Sequence, residues 1–275
     1  MSDPFPAVTE AAASGETAEL FADIRATVGV RVVNLVWRHL ATFDGALPWA
    51  WQAVRPLYEK GIADRAVLLF RRAMVVPRLA SLEGDAPDSV DAVLASYDHS
   101  NTINLFALGA LVAWLREEPS LSGRPLGGPR LPAPDVVLPK LADEADVAPE
   151  TWQRVLRLNR LGDTARPVIL ASMYRHLAHA PDFLERLEEV LTPAARDGAL
   201  RDIIVANRNG AYERARVLAQ AIEAERPDPA IRQAVEPAVA AFLDHAIGKM
   251  VTICRAIRTA RAGVLPRVTT GIPLA

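Results

Sequence analysis

Four histidines and two aspartates form the chemistry-bearing pattern of this chain. Arg38-His39-Leu40-Ala41 recurs as Arg175-His176-Leu177-Ala178, each time after an aromatic residue, Trp37 or Tyr174. Tyr97-Asp98-His99 is matched by Leu243-Asp244-His245, so four of the five histidines fall in two matched pairs. His39, His176, Asp98 and Asp244 make a two-histidine, two-carboxylate set of the kind that ligates transition metals. No local HExxH or ExxH signature accompanies it, and the histidines read equally well as core residues bonded to backbone or to an acid.

Asp98 and Asn101 are three residues apart and on a helix would share a face. A carboxylate beside an amide can hold a water, the one taking its proton and the other fixing its orientation. In YDHSN the same aspartate also suits a helix cap. Asp244 falls among Phe, Leu, Ala and Ile in what reads as helix interior, where a buried carboxylate needs a partner. Arg38 or Arg175 could supply it, and each also reads as a clamp for a ligand carboxylate.

The elements that would position these residues are helices. Phe21, Ile24, Val28, Val32, Leu35, Val36, His39 and Leu40 step at three and four, the spacing of an amphipathic helix. Further helices are predicted over Trp49–Glu59, Ala63–Val76, Asp88–Ala95, Asn101–Leu115, Glu150–Leu161, Pro167–His179, Pro181–Leu191, Ala194–Ala224 and Pro229–Arg261. No alternating strand pattern of useful length occurs, so the fold class is all-α. The stretch 119–149 is dense in proline with Gly127-Gly128 in its middle, and reads as a linker. The expected organisation is an arm (1–18), a helical repeat (19–118), the Pro-rich linker (119–149), a second repeat (150–261) and a tail (262–275). The two fused repeats would form a pseudo-two-fold dimer with a small-molecule pocket between them. The Arg-His motifs are 137 residues apart and the Asp-His motifs 146 apart, which places about nine additional residues in the second half, between its motifs.

Composition narrows the partners. A net charge of −2 over 275 residues, with no basic stripe, argues against nucleic acid and anionic membranes. The single cysteine, Cys254, excludes an internal disulfide framework and fits a reducing compartment. No signal-like start or bilayer-length apolar run is evident, so a soluble cytoplasmic protein is expected. GxSxG, P-loop and GxGxxG motifs are missing from the sequence, and no cofactor is expected beyond the metal that the His/Asp set would allow.

The run RHLATFDGALPWAW, the segment YDHSNTINLFAL and the duplication resemble the group I 2-haloacid dehalogenases, also named halocarboxylic acid dehydrogenases, from about Leu20 to Arg258. The resemblance implies an all-helical, usually dimeric fold of two repeats with the active site between them. There an aspartate activates water, which displaces halide directly from the α-carbon with inversion. Asn101 matches that family's pocket asparagine, and Ser172 the serine before its catalytic aspartate. The aspartate itself falls on Met173, which cannot take a proton. The aromatics of the halide pocket fall near Val32 and Leu35, both aliphatic, and Asp244 falls where the family places a pocket tyrosine. A base would then have to come from Asp98 or Asp244, with Asn101 positioning water. His176, one turn beyond Met173, and His39 would bind or protonate, and Arg38 or Arg175 would hold a substrate carboxylate. The expectation is a homodimeric, dehalogenase-like protein acting on a small carboxylic acid. The alternatives are a non-hydrolytic metal- or ligand-binding protein on the same scaffold, and a structural homodimer whose polar pairs are core salt bridges.

Overall fold

A computed structural model describes residues 5–118, 122–163 and 168–263. Among the described residues there are helices and no strands. The helices are α1 (Gly15–Val28), α2 (Leu35–Leu40), α3 (Ala46–Glu59), α4 (Ile62–Ala73), α5 (Asp88–Leu115), α6 (Pro149–Arg160), α7 (Ser172–Leu177), α8 (Pro181–Ala195), α9 (Ala199–Leu218), α10 (Pro229–Phe242) and α11 (Gly248–Arg261). A π-helical turn, Leu243–Ile247, joins α10 to α11 without a break.

Local sequence sets the helix ends. The periodicity from Phe21 to Leu40 is interrupted where Gly29 takes a left-handed conformation (φ 75°) and its N–H returns to the Arg25 carbonyl. This is a glycine C-cap, so the predicted single helix becomes α1 and the short α2. Conversely, the two segments expected around Asp98 are one helix. α5 runs 28 residues and is buried along nearly all of its length, and its central polar run, 98–102, is helix interior rather than a cap. A helix buried on all sides carries no amphipathic signal, and polar residues in its middle imitate a break.

Two cores hold the molecule, and each draws on both halves of the chain. The first takes residues from α1 to α4, the C-terminal part of α5, and α10. The second takes α6 to α8, α11 and the N-terminal part of α5. α5 and the continuous α10–α11 rod therefore pass through both cores, and α11 packs along α5. The rod, Pro229–Arg261, is 33 residues long with a mean hydropathy of 1.2 in its most apolar stretch, and 72% of that stretch is buried against other helices.

The arm and the linker are docked. Phe5 packs edge-on against His39 and Phe242, the Val8 N–H donates to the Arg38 carbonyl at 3.0 Å, and the Val33 N–H donates to the Glu10 carboxylate at 2.8 Å. The linker straps across α1 and α4. The Gly128 N–H donates to the Lys60 carbonyl at 3.2 Å, and the Leu131 N–H to buried Asp64 at 2.7 Å. Glycine is required at this crossing: a β-carbon on Gly61 (φ 63°) would stand 1.9 Å from the Gly128 carbonyl oxygen. The expected tail lies almost wholly outside the described residues, as do the tip of the arm and residues 119–121.

Candidate functional site

α5 presents a polar stripe to a small chamber at the meeting of α2, α7 and the π turn. Ser96, Tyr97, Ser100 and Asn101 lie at i, i+1, i+4 and i+5 and share one face. Opposite them stand Val32, Asn34 and Leu35 at the start of α2, Ser172 and Met173 at the start of α7, and Phe242, Ile247 and Met250 from the rod. The chamber has a volume of about 40 Å³, room for on the order of three waters or a ligand of a few heavy atoms.

The chamber floor is a closed network of amides. The Asn34 Nδ2 donates to Ser100 Oγ at 3.3 Å and to Asn101 Oδ1 at 3.4 Å. Asn34 Oδ1 accepts from Asn104 Nδ2 at 3.1 Å. Asn104 Oδ1 accepts in turn from Trp37 Nε1 at 3.3 Å and Tyr58 Oη at 2.7 Å. With both rotor-like amides held on one side, Asn101 keeps its NH2 group for the chamber. Asn34 and Asn104 thus fix the group that faces a ligand.

Tyr97 forms the wall. Burial pushes its hydroxyl well above the usual phenol range, against the pull of Arg38, the Ser172 hydroxyl and Arg175. Its ring lies 5.7 Å from that of His176. His176 is 2% exposed and neither ring nitrogen has a partner in hydrogen-bond geometry. Burial lowers its pKa to about 4, against a weaker opposing pull from the Pro139 carbonyl. The imidazole is therefore neutral at pH 7. Arg38 is 8% exposed and sends positive potential to both Tyr97 and His176.

Of the residues singled out in the sequence, Val32, Leu35, Asn101, Ser172 and Met173 line the chamber. Asp98 does not. The stripe facing the chamber is centred between Tyr97 and Ser100, and at 100° per residue Asp98 points about 130° away from that centre. Its carboxylate, 2% exposed, meets Arg258 at 2.5 Å, Arg71 at 3.0 Å and Arg255 at 3.5 Å. It is a structural anion among three cations, which takes it out of water activation in the chamber. Asp244 does not line the chamber either. The π turn leaves its side chain 56% exposed, 3.5 Å from Arg208, while Ala246 and Ile247 of the same turn face inward.

The histidines and arginines are held apart by different partners. His39 Nδ1 donates to the Pro6 carbonyl at 2.6 Å, and its ring packs among Phe5, Phe43 and Phe242. Arg175 donates to the Ala142 carbonyl at 2.8 Å and pairs with Asp143, so it fastens the linker to α7. Both Arg175 and Arg38 bear electrostatically on Tyr97 and His176. The set His39, His176, Asp98 and Asp244 is not assembled, and no group of three or more His, Cys, Asp or Glu side chains among the described residues is placed to hold a metal ion.

The sequence alone did not single out Asn34, Ser96, Tyr97, Ser100 or Asn104 as site residues. Their i, i+4 spacing was the available signal.

No family model matches the chain. A curated relative, a configuration-inverting 2-haloacid dehalogenase of Alcaligenes xylosoxydans xylosoxydans, is 28% identical over 242 residues, covering 76% of this chain and 77% of the relative. The solved structure of a D-2-haloacid dehalogenase mutant in complex with D-2-CPA superposes with a TM-score of 0.67 at 19% identity, covering 94% of this chain and 96% of that one. The complex of D-2-haloacid dehalogenase with L-LA gives a TM-score of 0.67 at 17% identity, with 94% and 97% covered. The chain thus has the all-helical fold of the D-2-haloacid dehalogenases, and its sequence is similar to that of a configuration-inverting 2-haloacid dehalogenase.

Proposed function

We propose that the chamber binds a small 2-substituted carboxylic acid, the class of compound named for the relatives, on a scaffold of two helical repeats. One observation carries the reading. Neutral polar groups of Ser96, Tyr97, Ser100, Asn101 and Ser172 converge on an otherwise apolar chamber of a few heavy atoms' size, with the positive potential of Arg38 behind its tyrosine wall. Sites of this composition fix a small anion's orientation through a few placed polar groups. The free NH2 of Asn101 and the Ser172 hydroxyl would hold the carboxylate, and the apolar side chains from α2 and the rod would take the 2-substituent.

The repeat reading rests on element order. A helix, a six-residue helix and two further helices precede a long one in each half, and α9 (20 residues) exceeds its counterpart α4 (12 residues), where the motif spacing calls for additional chain. α2 and α7, the six-residue helices, carry the repeated Arg-His motifs and flank the chamber.

Among the described residues lining the chamber there is no carboxylate. The binding reading therefore includes no general base of the aspartate type. A second reading, hydrolysis of a 2-halocarboxylic acid, is favoured by the name of the curated relative. Here it would need a water-activating base from outside the described lining, because neither His176 nitrogen is hydrogen-bonded and burial holds its imidazole weakly basic.

Titrating the protein with D- and L-2-chloropropionate while following both ligand binding and free chloride tests the two together. Saturable binding that is lost in Asn101→Leu supports the proposal. Chloride release by the wild-type chain selects the second reading, and no binding of either enantiomer refutes both.

A further inference from the structure

A second cleft lies between α4, α9 and the linker strap. Ile62, Ala66, Leu69, Leu126, Val217 and Leu218 give it an apolar floor and walls, with a volume of about 160 Å³. Leu69 and Leu126 are 46% and 49% exposed, although both carry large apolar side chains. Burial of such a pair is favourable, so their exposure marks surface that a ligand can cover.

Three arginines, Arg65, Arg124 and Arg214, also line this cleft. They come from three separate elements. Some arginines of the same helices are paired: Arg71 meets Asp98 at 3.0 Å, and Arg216 meets Glu118 at 3.2 Å and Glu213 at 2.9 Å. None of the three cleft arginines has a carboxylate partner among the described residues. All three are exposed, and three like charges around one apolar hollow set up a local positive potential that attracts an anion. Their guanidinium forks suit a carboxylate.

The wall that carries Arg124 and Leu126 is fixed in place. Gly127 and Gly128 cross Lys60 and Gly61 so closely that a β-carbon on Gly127 would stand 2.5 Å from the Lys60 carbonyl oxygen. The glycine pair in the linker thus has a role in shaping this cleft.

We propose that this cleft is a second ligand site, for an amphipathic monocarboxylate with an apolar body of about six to eight carbons, since a cavity of about 150 Å³ accommodates a benzene-sized molecule. The apolar body covers Leu69 and Leu126, and the carboxylate sits among Arg65, Arg124 and Arg214. This site shares no lining residue with the chamber, and the inference does not depend on what the chamber binds.

Octanoate is the probe. Its binding to the full chain is measured by titration calorimetry at low salt, with 1-octanol as the uncharged control. The wild-type chain is compared with Arg214→Gln, Leu69→Gln and, to fill the other site, Ser172→Leu. The expected result is saturable octanoate binding that weakens about tenfold in Arg214→Gln, weakens in Leu69→Gln, and is unchanged in Ser172→Leu. The proposal is overturned by the lack of saturable binding, by equal binding of 1-octanol, or by binding that survives Arg214→Gln and disappears in Ser172→Leu. It is also overturned if sedimentation shows a dimer that Leu69→Gln dissociates, because the cleft would then be covered by a second copy.

Discussion

The Asp98 carboxylate and the Arg258 guanidinium meet at 2.5 Å across 160 residues of chain, tying the middle of α5 to α11. Arg71 and Arg255 approach the same oxygen, and the Arg71 guanidinium also donates to the Asp98 backbone carbonyl. Asp98 is the one carboxylate in this group, so it balances the cations that link α4, α5 and α11.

Removing its charge should therefore act on stability. Asp98→Asn keeps the shape and leaves three arginines without their counter-charge. Because the three arginines are partly exposed and water screens the charges left behind, a loss of about 1–3 kcal/mol is expected. Chemical denaturation gives the number. Chloropropionate affinity, measured below the unfolding transition, should match the wild-type chain. An unchanged stability together with lost chamber binding would return Asp98 to the site.

His176 should leave a signature in the pH dependence of folding. Its folded pKa of about 4 lies below the ordinary histidine value near 6.5. Between those values the unfolded chain binds the proton and the folded chain does not. Stability is then fully present above about pH 6.5 and declines as pH falls toward 4, by up to about 3 kcal/mol. Urea midpoints at pH 7 and 4.5 should drop further for the wild-type chain than for His176→Phe. Parallel drops would contradict a buried, neutral His176.

The linker's hold on α4 depends on one backbone crossing. Gly61→Ala adds a β-carbon in a left-handed conformation and against the Gly128 carbonyl. The conformation alone costs about 1–2 kcal/mol, and the strap must also move. Hydrogen exchange at the Gly128 and Leu131 amides should accelerate in the variant, while the amides of α8 keep their protection. Unchanged exchange at both linker amides would mean that the strap is held elsewhere.

Helix boundaries were readable where a single residue type forces the backbone. Gly61 and Pro181 mark helix ends that the sequence reading identified. α5 was less readable, because Tyr97-Asp98-His99-Ser100-Asn101 has the residue types of a cap and only tertiary burial makes it helix interior. The direction of Asp98 was misread for a related reason. A three-residue spacing places Asp98 and Asn101 within about 60° of each other, but does not say which side of that arc faces the chamber. The amides of Asn34 and Asn104 work through partners some 70 residues away, a relationship that no local spacing reveals. The docked linker was equally hidden, since backbone hydrogen bonds such as that from Gly128 to Lys60 leave no side-chain signal.

The proposed reading of the chamber turns on residue 173. Met173 is fully buried on the chamber wall beside Ser172, at the position that the dehalogenase resemblance assigns to a catalytic aspartate. An aspartate there would stand beside apolar neighbours, which raise a carboxyl pKa and suit it to proton transfer. The most direct test is chloride release from D- and L-2-chloropropionate by the wild-type chain and by Met173→Asp, assayed side by side at neutral pH. The expected result is ligand binding without release by the wild-type chain, and measurable release from at least one enantiomer by Met173→Asp. Release by the wild-type chain, or a folded Met173→Asp protein that neither binds nor releases, would contradict this account.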